Sequence, residues 1–215
     1  MRGKRQGFPD PEISSILHSM DYPMKPTPTE APIFDILQRR WSSLAFDPQP
    51  LEKEVIASLF EAARWAPSCY GDQPWAYVYA EKSDPMREAM ESLLMEGNVW
   101  AKNAGLLIVG FGRTTLRRNE KPNDYHLYDL GAATMQLVLE ATSLGLCTHQ
   151  MGGFQKEKAN ALLGVPDIYA PGSMIAVGHP ADPSKLPEAL LAREKSARSR
   201  NSVDSFAFRG TFKNT

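Results

Sequence analysis

At 215 residues the chain is long enough for one domain with a sizeable core, and its 42% hydrophobic and 23% charged residues exclude a disordered or fibrous protein. A formal net charge of −1 excludes a broad electrostatic partnership with nucleic acid or an anionic membrane surface. Two cysteines, Cys69 and Cys147, make neither a disulfide framework nor a metal-finger spacing, and no apolar run is long enough for a bilayer, so a reduced, cytoplasmic protein is expected.

Residues 1–32 read as a Pro-rich arm, with a short helix over Ile13–Met20 and then the extended stretch YPMKPTPTEAP. The basic start, MRGKRQGFPD, lacks the apolar core of a secretory signal. The remainder, 33–215, reads as one domain. A helix is expected from near Pro32, carrying Ile33, Phe34, Ile36 and Leu37. The next runs from about Pro50 to Trp65, with Pro50 in the first turn and a stripe of Leu51, Val55, Ile56, Leu59, Phe60 and Ala63. WAYVYA (Trp75–Ala80) predicts a strand, Met86–Met95 a helix stopped by Gly97, and GLLIVGFG (Gly105–Gly112) a strand buried on both faces. TTLRRNEKPND is a polar loop. From Asp124 to Leu144 a long helix is expected, with Leu127, Leu130, Thr134, Leu137, Ala141 and Leu144 at coiled-coil-like spacing and Gly145 as its stop. A short helix over Lys156–Leu163 and a central strand, GSMIAVGHP, complete an α+β sandwich around a core sheet.

The familiar catalytic signatures are missing: the sequence has no GxSxG, Walker, GxGxxG or HExxH pattern. Its four histidines are scattered, and Cys69 has no base beside it in sequence. Arginine is more informative. QRRWSS (Gln38–Ser43) and ARSRNS (Ala197–Ser202) each set two arginines among hydroxyls, the donor set a phosphate monoester takes. Each cluster alone is also an ordinary solvated face; only a fold that joins them makes a dianion site. QMGGFQ (Gln150–Gln155) is either a turn before a helix or a backbone that lets N–H groups approach a ligand. AARWAPSCYGDQPW (Ala62–Trp75) bends an aromatic-rich stretch, either as packing under a loop or as a wall for a flat ligand.

Taken together, five stretches in order from Ile33 to Phe212 resemble the nitroreductase family of FMN-dependent oxidoreductases: RRWSSLAF, APSCYGDQPW, GNVWAKNAGLLIV, DLGAATMQLVLEATSLGLCTHQMGGF and RSR. The resemblance implies an α/β/α sandwich with a central mixed, mainly antiparallel sheet, in an interlocked homodimer with FMN at the interface. By position, Arg40, Trp41, Ser42, Arg198 and Arg200 would serve the phosphate and ribityl chain, and Asn98 the pyrimidine edge of the flavin. Backbone at Met151, Gly152 and Gly153 would approach the ring. Pro67, Ser68, Cys69 and Gly71 would wall it from the other subunit, with Tyr70 and Trp100 facing substrate. NADH or NADPH would reduce the flavin, and a nitroaromatic or quinone would then reoxidise it in a ping-pong cycle that needs no catalytic side chain and no metal.

Two positions depart from the family pattern. Leu44 stands where the family has a basic residue, and Gly71 where it has Asn. A missing cation near the pyrimidine edge makes the flavin harder to reduce, because negative charge develops there. Desaturase or dehalogenase chemistry on the same scaffold, or flavin binding without catalysis, are the alternatives these departures leave open.

Overall fold

The structure, a computed structural model, describes residues 24–212. The helix expected over Ile13–Met20 lies outside them. In chain order the regular elements are α1 (Asp35–Arg39), β1 (Phe46–Asp47), α2 (Lys53–Arg64), β2 (Trp75–Glu81), α3 (Arg87–Glu91), β3 (Leu106–Arg113), α4 (His126–Ser143), β4 (Cys147–Met151), α5 (Lys156–Leu163), β5 (Tyr169–Pro180) and α6 (Glu188–Lys195). Short 3₁₀ turns lie between them, including Cys69–Gly71 and Glu96–Asn103.

β5 organises the sheet. It pairs with β3 on one side (Ile108 opposite Ile175) and with β4 on the other (Gln150 opposite Ile175), while β1 continues at its end (Phe46 opposite Pro180). β2 completes the order on the outer side of β3. All four ladders are antiparallel, and an isolated parallel bridge, Ser42 to Thr148, supplies the mixed character.

Period-two alternation along β3 divides the core in two. Leu106 and Ile108 pack with Ile56, Leu59, Leu137 and Ile175 under α2 and α4. Leu107, Val109 and Phe111 pack with Met90, Leu93, Trp100 and Met174 on the opposite face. A strand covered on both faces reads as one apolar run, which is why GLLIVGFG carries no alternation. Leu59 and Leu137, at 0% exposure, each contribute about 1.5–3 kcal/mol by burial.

Several boundaries differ from the sequence reading. α1 starts at Asp35 rather than near Pro32 and ends when Arg40 turns extended (ψ 123). α2 starts at Lys53, because Glu52 is extended (ψ 143) and Leu51 is already in the core. Pro50 therefore precedes the helix. The Met86–Met95 helix is only α3, and Gly97 sits inside the 3₁₀ turn that follows instead of ending a helix. α4 keeps its buried stripe from Leu130 to Leu144 and stops at Gly145 (φ +76), but Leu127 is 47% exposed and off the stripe. β1, β4 and α6 have no counterpart in the sequence reading.

Candidate functional site

The first cluster forms where the two ends of the described chain meet. α1 ends at Arg39, and the extended backbone that follows carries Arg40, buried Trp41 and exposed Ser42 toward β4. Arg198 reaches back from the C-terminal segment: Nη1 donates to the Gln38 carbonyl (2.7 Å) and Nη2 to the Arg40 carbonyl (3.0 Å). Thr27 of the N-terminal arm donates to the same Gln38 carbonyl (2.8 Å) and accepts from Arg198. Arg40, Arg198 and Arg200 thereby line one cavity of about 240 Å³ together with Thr27 and Thr29. Arg40 of QRRWSS and both arginines of ARSRNS, distant in sequence, share a site, while Arg39 turns to Asp35 (3.7 Å).

Bonded to the first arginine segment and close in sequence to the second is a residue the sequence alone did not single out. Glu194, the last turn of α6, is 5% exposed and accepts from Ser43 Oγ (2.7 Å) and the Leu44 N–H (2.8 Å). This holds Leu44 in the core, so the position presents apolar surface and no cation. Neighbouring groups feel the burial. Desolvation pushes the Cys147 thiol up to about 12. Desolvation also lowers His149, whose Nδ1 faces the Ser43 carbonyl at 2.9 Å.

The second cluster follows along β4. Asn98 Nδ2 donates to the Gly153 carbonyl (2.8 Å), and a Cβ on Gly153 would stand 3.0 Å from that nitrogen, whereas Gly152 opens to free space. The turn is fixed behind by Gln155 N–H to the Leu93 carbonyl (2.8 Å). Met151 is buried at 3% exposure, so only its backbone and the two glycines are presented. Trp100 is buried as well (6%), stacked on Phe46 and 4.5 Å from His149. It braces this cluster from the core and shows no open face.

The third cluster, Pro67–Gly71, is anchored on other elements. Its Cys69 N–H donates to Asp129 Oδ2 (3.0 Å), a carboxylate only 2% exposed in the first turn of α4. Ser68 Oγ accepts from the Gln73 N–H (3.0 Å). Tyr70 holds φ +56, a region that L residues other than Asn and Asp seldom occupy, and the residue is 74% exposed. The signal for Asp129 was present in the sequence: a carboxylate on the apolar stripe of a helix must have a buried partner.

Among the described residues, no three His, Cys, Asp or Glu side chains are grouped as metal ligands, and no helix is long and apolar enough to cross a membrane. The arrangement offers a cavity lined by three arginines and two threonines, a polar backbone turn at the end of β4, and a separate exposed aromatic loop.

The family model described as the nitroreductase family matches residues 37–99 and 84–179, well over half of the chain. An uncharacterised 15.4 kDa protein of Mycolicibacterium smegmatis is 35% identical over 135 residues, covering 63% of this chain and 90% of that protein. A protein of Archaeoglobus fulgidus, named as an NADH dehydrogenase/NAD(P)H nitroreductase, is 25% identical over 158 residues, covering 72% and 88%. A crystal structure of an oxidoreductase containing FMN superposes with a TM-score of 0.83 at 37% identity, covering 87% of this chain and 96% of that one.

Proposed function

The chain belongs to the nitroreductase family, and on that premise we propose that it is a homodimeric, FMN-dependent oxidoreductase. It takes electrons from NADH or NADPH and passes them to flat, electron-poor acceptors such as nitroaromatics or quinones, in two alternating half-reactions. The observation that carries this reading is the convergence of Arg40, Arg198 and Arg200 on one cavity of about 240 Å³.

The residues present fit the cofactor. A phosphate dianion suits three guanidinium groups and the hydroxyl of Thr29. Ser42, exposed at its bridge to Thr148, stands at the start of the path toward the Gly152–Gly153 turn. The second cluster fits the ring, because Gly153 leaves no room for a side chain beside Asn98. When bound, FMN supplies hydride acceptance from the nicotinamide and electron delivery to the acceptor.

This chain's own contribution is to bind, orient and exclude. Arg40, Arg198 and Arg200 neutralise the phosphate. Asn98 and the Met151–Gly153 backbone present donors and acceptors to the polar edge of the ring. Pro67, Ser68, Cys69 and Gly71 of a second protomer wall the ring and keep water out, and Tyr70 offers a face for stacking. No side chain is required to move a proton. Leu44 leaves the developing negative charge without a cation from that position.

What α4 exposes supports a dimer. Tyr128 is 78% and Leu127 47% exposed, and Gly131 faces open space with no other atom within reach of a side chain there. That strip admits a second helix backbone. The test of the activity is steady-state NADH and NADPH oxidation with menadione or a nitrofuran. Turnover well above free FMN, with parallel double-reciprocal lines, is expected; turnover equal to that of free FMN overturns the proposal.

A further inference from the structure

The polar loop after β3, TTLRRNEKPND, has no part in the function described so far, yet it is firmly built. Its start is rooted by Arg113 N–H to the Pro74 carbonyl (2.8 Å) and Thr114 N–H to the Ile168 carbonyl (2.9 Å), and its end is closed on the start by Asn123 N–H to the Thr114 carbonyl (2.8 Å). Across the loop, Leu116 N–H meets the Lys121 carbonyl (2.8 Å), and Leu116 is 9% exposed. Its tip is pinned to the aromatic loop, because the Arg117 N–H donates to Asp72 Oδ1 (2.8 Å). The aromatic loop is in turn pinned to α4 by Asp129.

This scaffold places the Arg118 guanidinium 3.7 Å from the centre of the Tyr70 ring. Stacking engages the flat face of the guanidinium and leaves its N–H groups, which lie in its plane, directed outward. Of the acids nearby, Glu120 is held by both carboxylate oxygens on Arg113 Nη2 (2.7 Å each) and by Thr115, while Asp72 accepts from the Arg117 N–H through Oδ1 and keeps a buried, unpartnered Oδ2 that offsets one of the loop's cations. Arg117, Arg118 and Lys121 therefore make the loop tip cationic beside an exposed aromatic face.

We propose that Arg118, held on Tyr70, selects flat ligands that carry an anionic group at their rim. This rests on the reading that Tyr70 faces the stacked ligand. A ring lying on or beside Tyr70 with a carboxylate at its edge meets a fixed fork of donors, and a neutral ring of the same shape gains nothing from it. The same chemistry suits an acidic acceptor or the 2′-phosphate of NADPH, which share an anionic group.

The test uses the FMN-loaded dimer. Dissociation constants for 4-nitrobenzoate and nitrobenzene are read from the perturbation of flavin absorption, and so are those for NADP⁺ and NAD⁺, which differ by the same 2′-phosphate and do not reduce the flavin. In Arg118→Ala the preference for the anionic member of a pair falls by about three- to tenfold, and in Arg118→Glu it inverts. At about 1 M salt, where the screening length is about 3 Å, the wild-type preference shrinks. Loss confined to the nitrobenzoate pair assigns the guanidinium to the acceptor; loss confined to the nicotinamide pair assigns it to the reductant. Ratios within about twofold of wild type in both pairs overturn the role of Arg118 while leaving the proposed function standing. A protein that takes up no FMN overturns both.

Discussion

Arg198 holds the carbonyls of Gln38, in the last turn of α1, and of Arg40 just beyond it and also faces the cavity, a double task suited to a planar fork and not to an ammonium. Arg198→Ala is expected to raise the FMN dissociation constant at least about tenfold, since a charge-assisted hydrogen bond contributes about 1.5–3 kcal/mol. Quenching of FMN fluorescence measures it, and Arg198→Lys should recover only part of the loss. Cys147 and Cys69 separate by environment. With its thiol pushed up to about 12, Cys147 stays inert to a thiol-disulfide reagent until the chain unfolds, whereas half-buried Cys69 reacts in the apoprotein and is protected by FMN. Equal protection with and without FMN would remove Cys69 from the ring wall. His149 gives a pH dependence with a definite sign. Burial lowers its folded pKa below the unfolded value of about 6.5, so the unfolded chain binds more protons between the two values. Its stability contribution is present above about pH 6.5 and is lost as pH falls through that value toward the lower folded pKa. Urea midpoints between pH 7 and pH 5 should fall less steeply in His149→Gln than in the wild type.

The long elements were legible because their patterns are dictated by burial on the period of the element. β3 is apolar throughout because α2 and α4 cover one face and α3, α5 and the 3₁₀ turn the other, and α4 shows its stripe because only one side is covered. Short elements left no such trace. β4, CTHQM, has only five residues, three of them polar (Thr148, His149 and Gln150), and its buried positions, Cys147, Thr148 and Met151, follow neither an apolar run nor a period of two. In α6 the one buried side chain is Glu194, which carries no apolar signal at all. Leu127 was misassigned because a seven-residue repeat drifts on a 3.6-residue helix, and at the first turn of α4 it points off the buried stripe. At the site, the phosphate-like donor sets could be read from Arg and Ser alone. Their joining could not, since it depends on Glu194, Thr27 and the Arg198 contacts, which are tertiary. The strip of α4 beside Gly131 carries its own prediction. Gly131→Glu should leave the protomer folded, as judged by circular dichroism, while light scattering reports monomers and bound FMN is lost. A dimer that survives with full FMN content places the interface elsewhere.

Across the fold, three segments far apart in sequence meet around the arginine cavity: residues 25–30 of the arm, 38–44 after α1, and 194–203 at the C-terminal end. Lys25 Nζ donates to the Ser196 carbonyl (3.0 Å), and the Val203 N–H donates to Glu30 (3.1 Å). The described part of the arm thus lies against its own chain. The aromatic loop, by contrast, is tied to α4 and to the loop after β3, and in the proposed dimer it completes the site of the other protomer. Cofactor binding and dimer formation are then linked, so FMN should raise the unfolding temperature and make it less dependent on protein concentration. The most direct measurement is the visible absorption spectrum of the protein as purified, with the chromophore released and identified. An oxidised-flavin spectrum, FMN as the released compound, and its loss in Arg198→Ala are the predicted result. A colourless protein whose spectrum and unfolding temperature do not change on adding FMN would contradict the account.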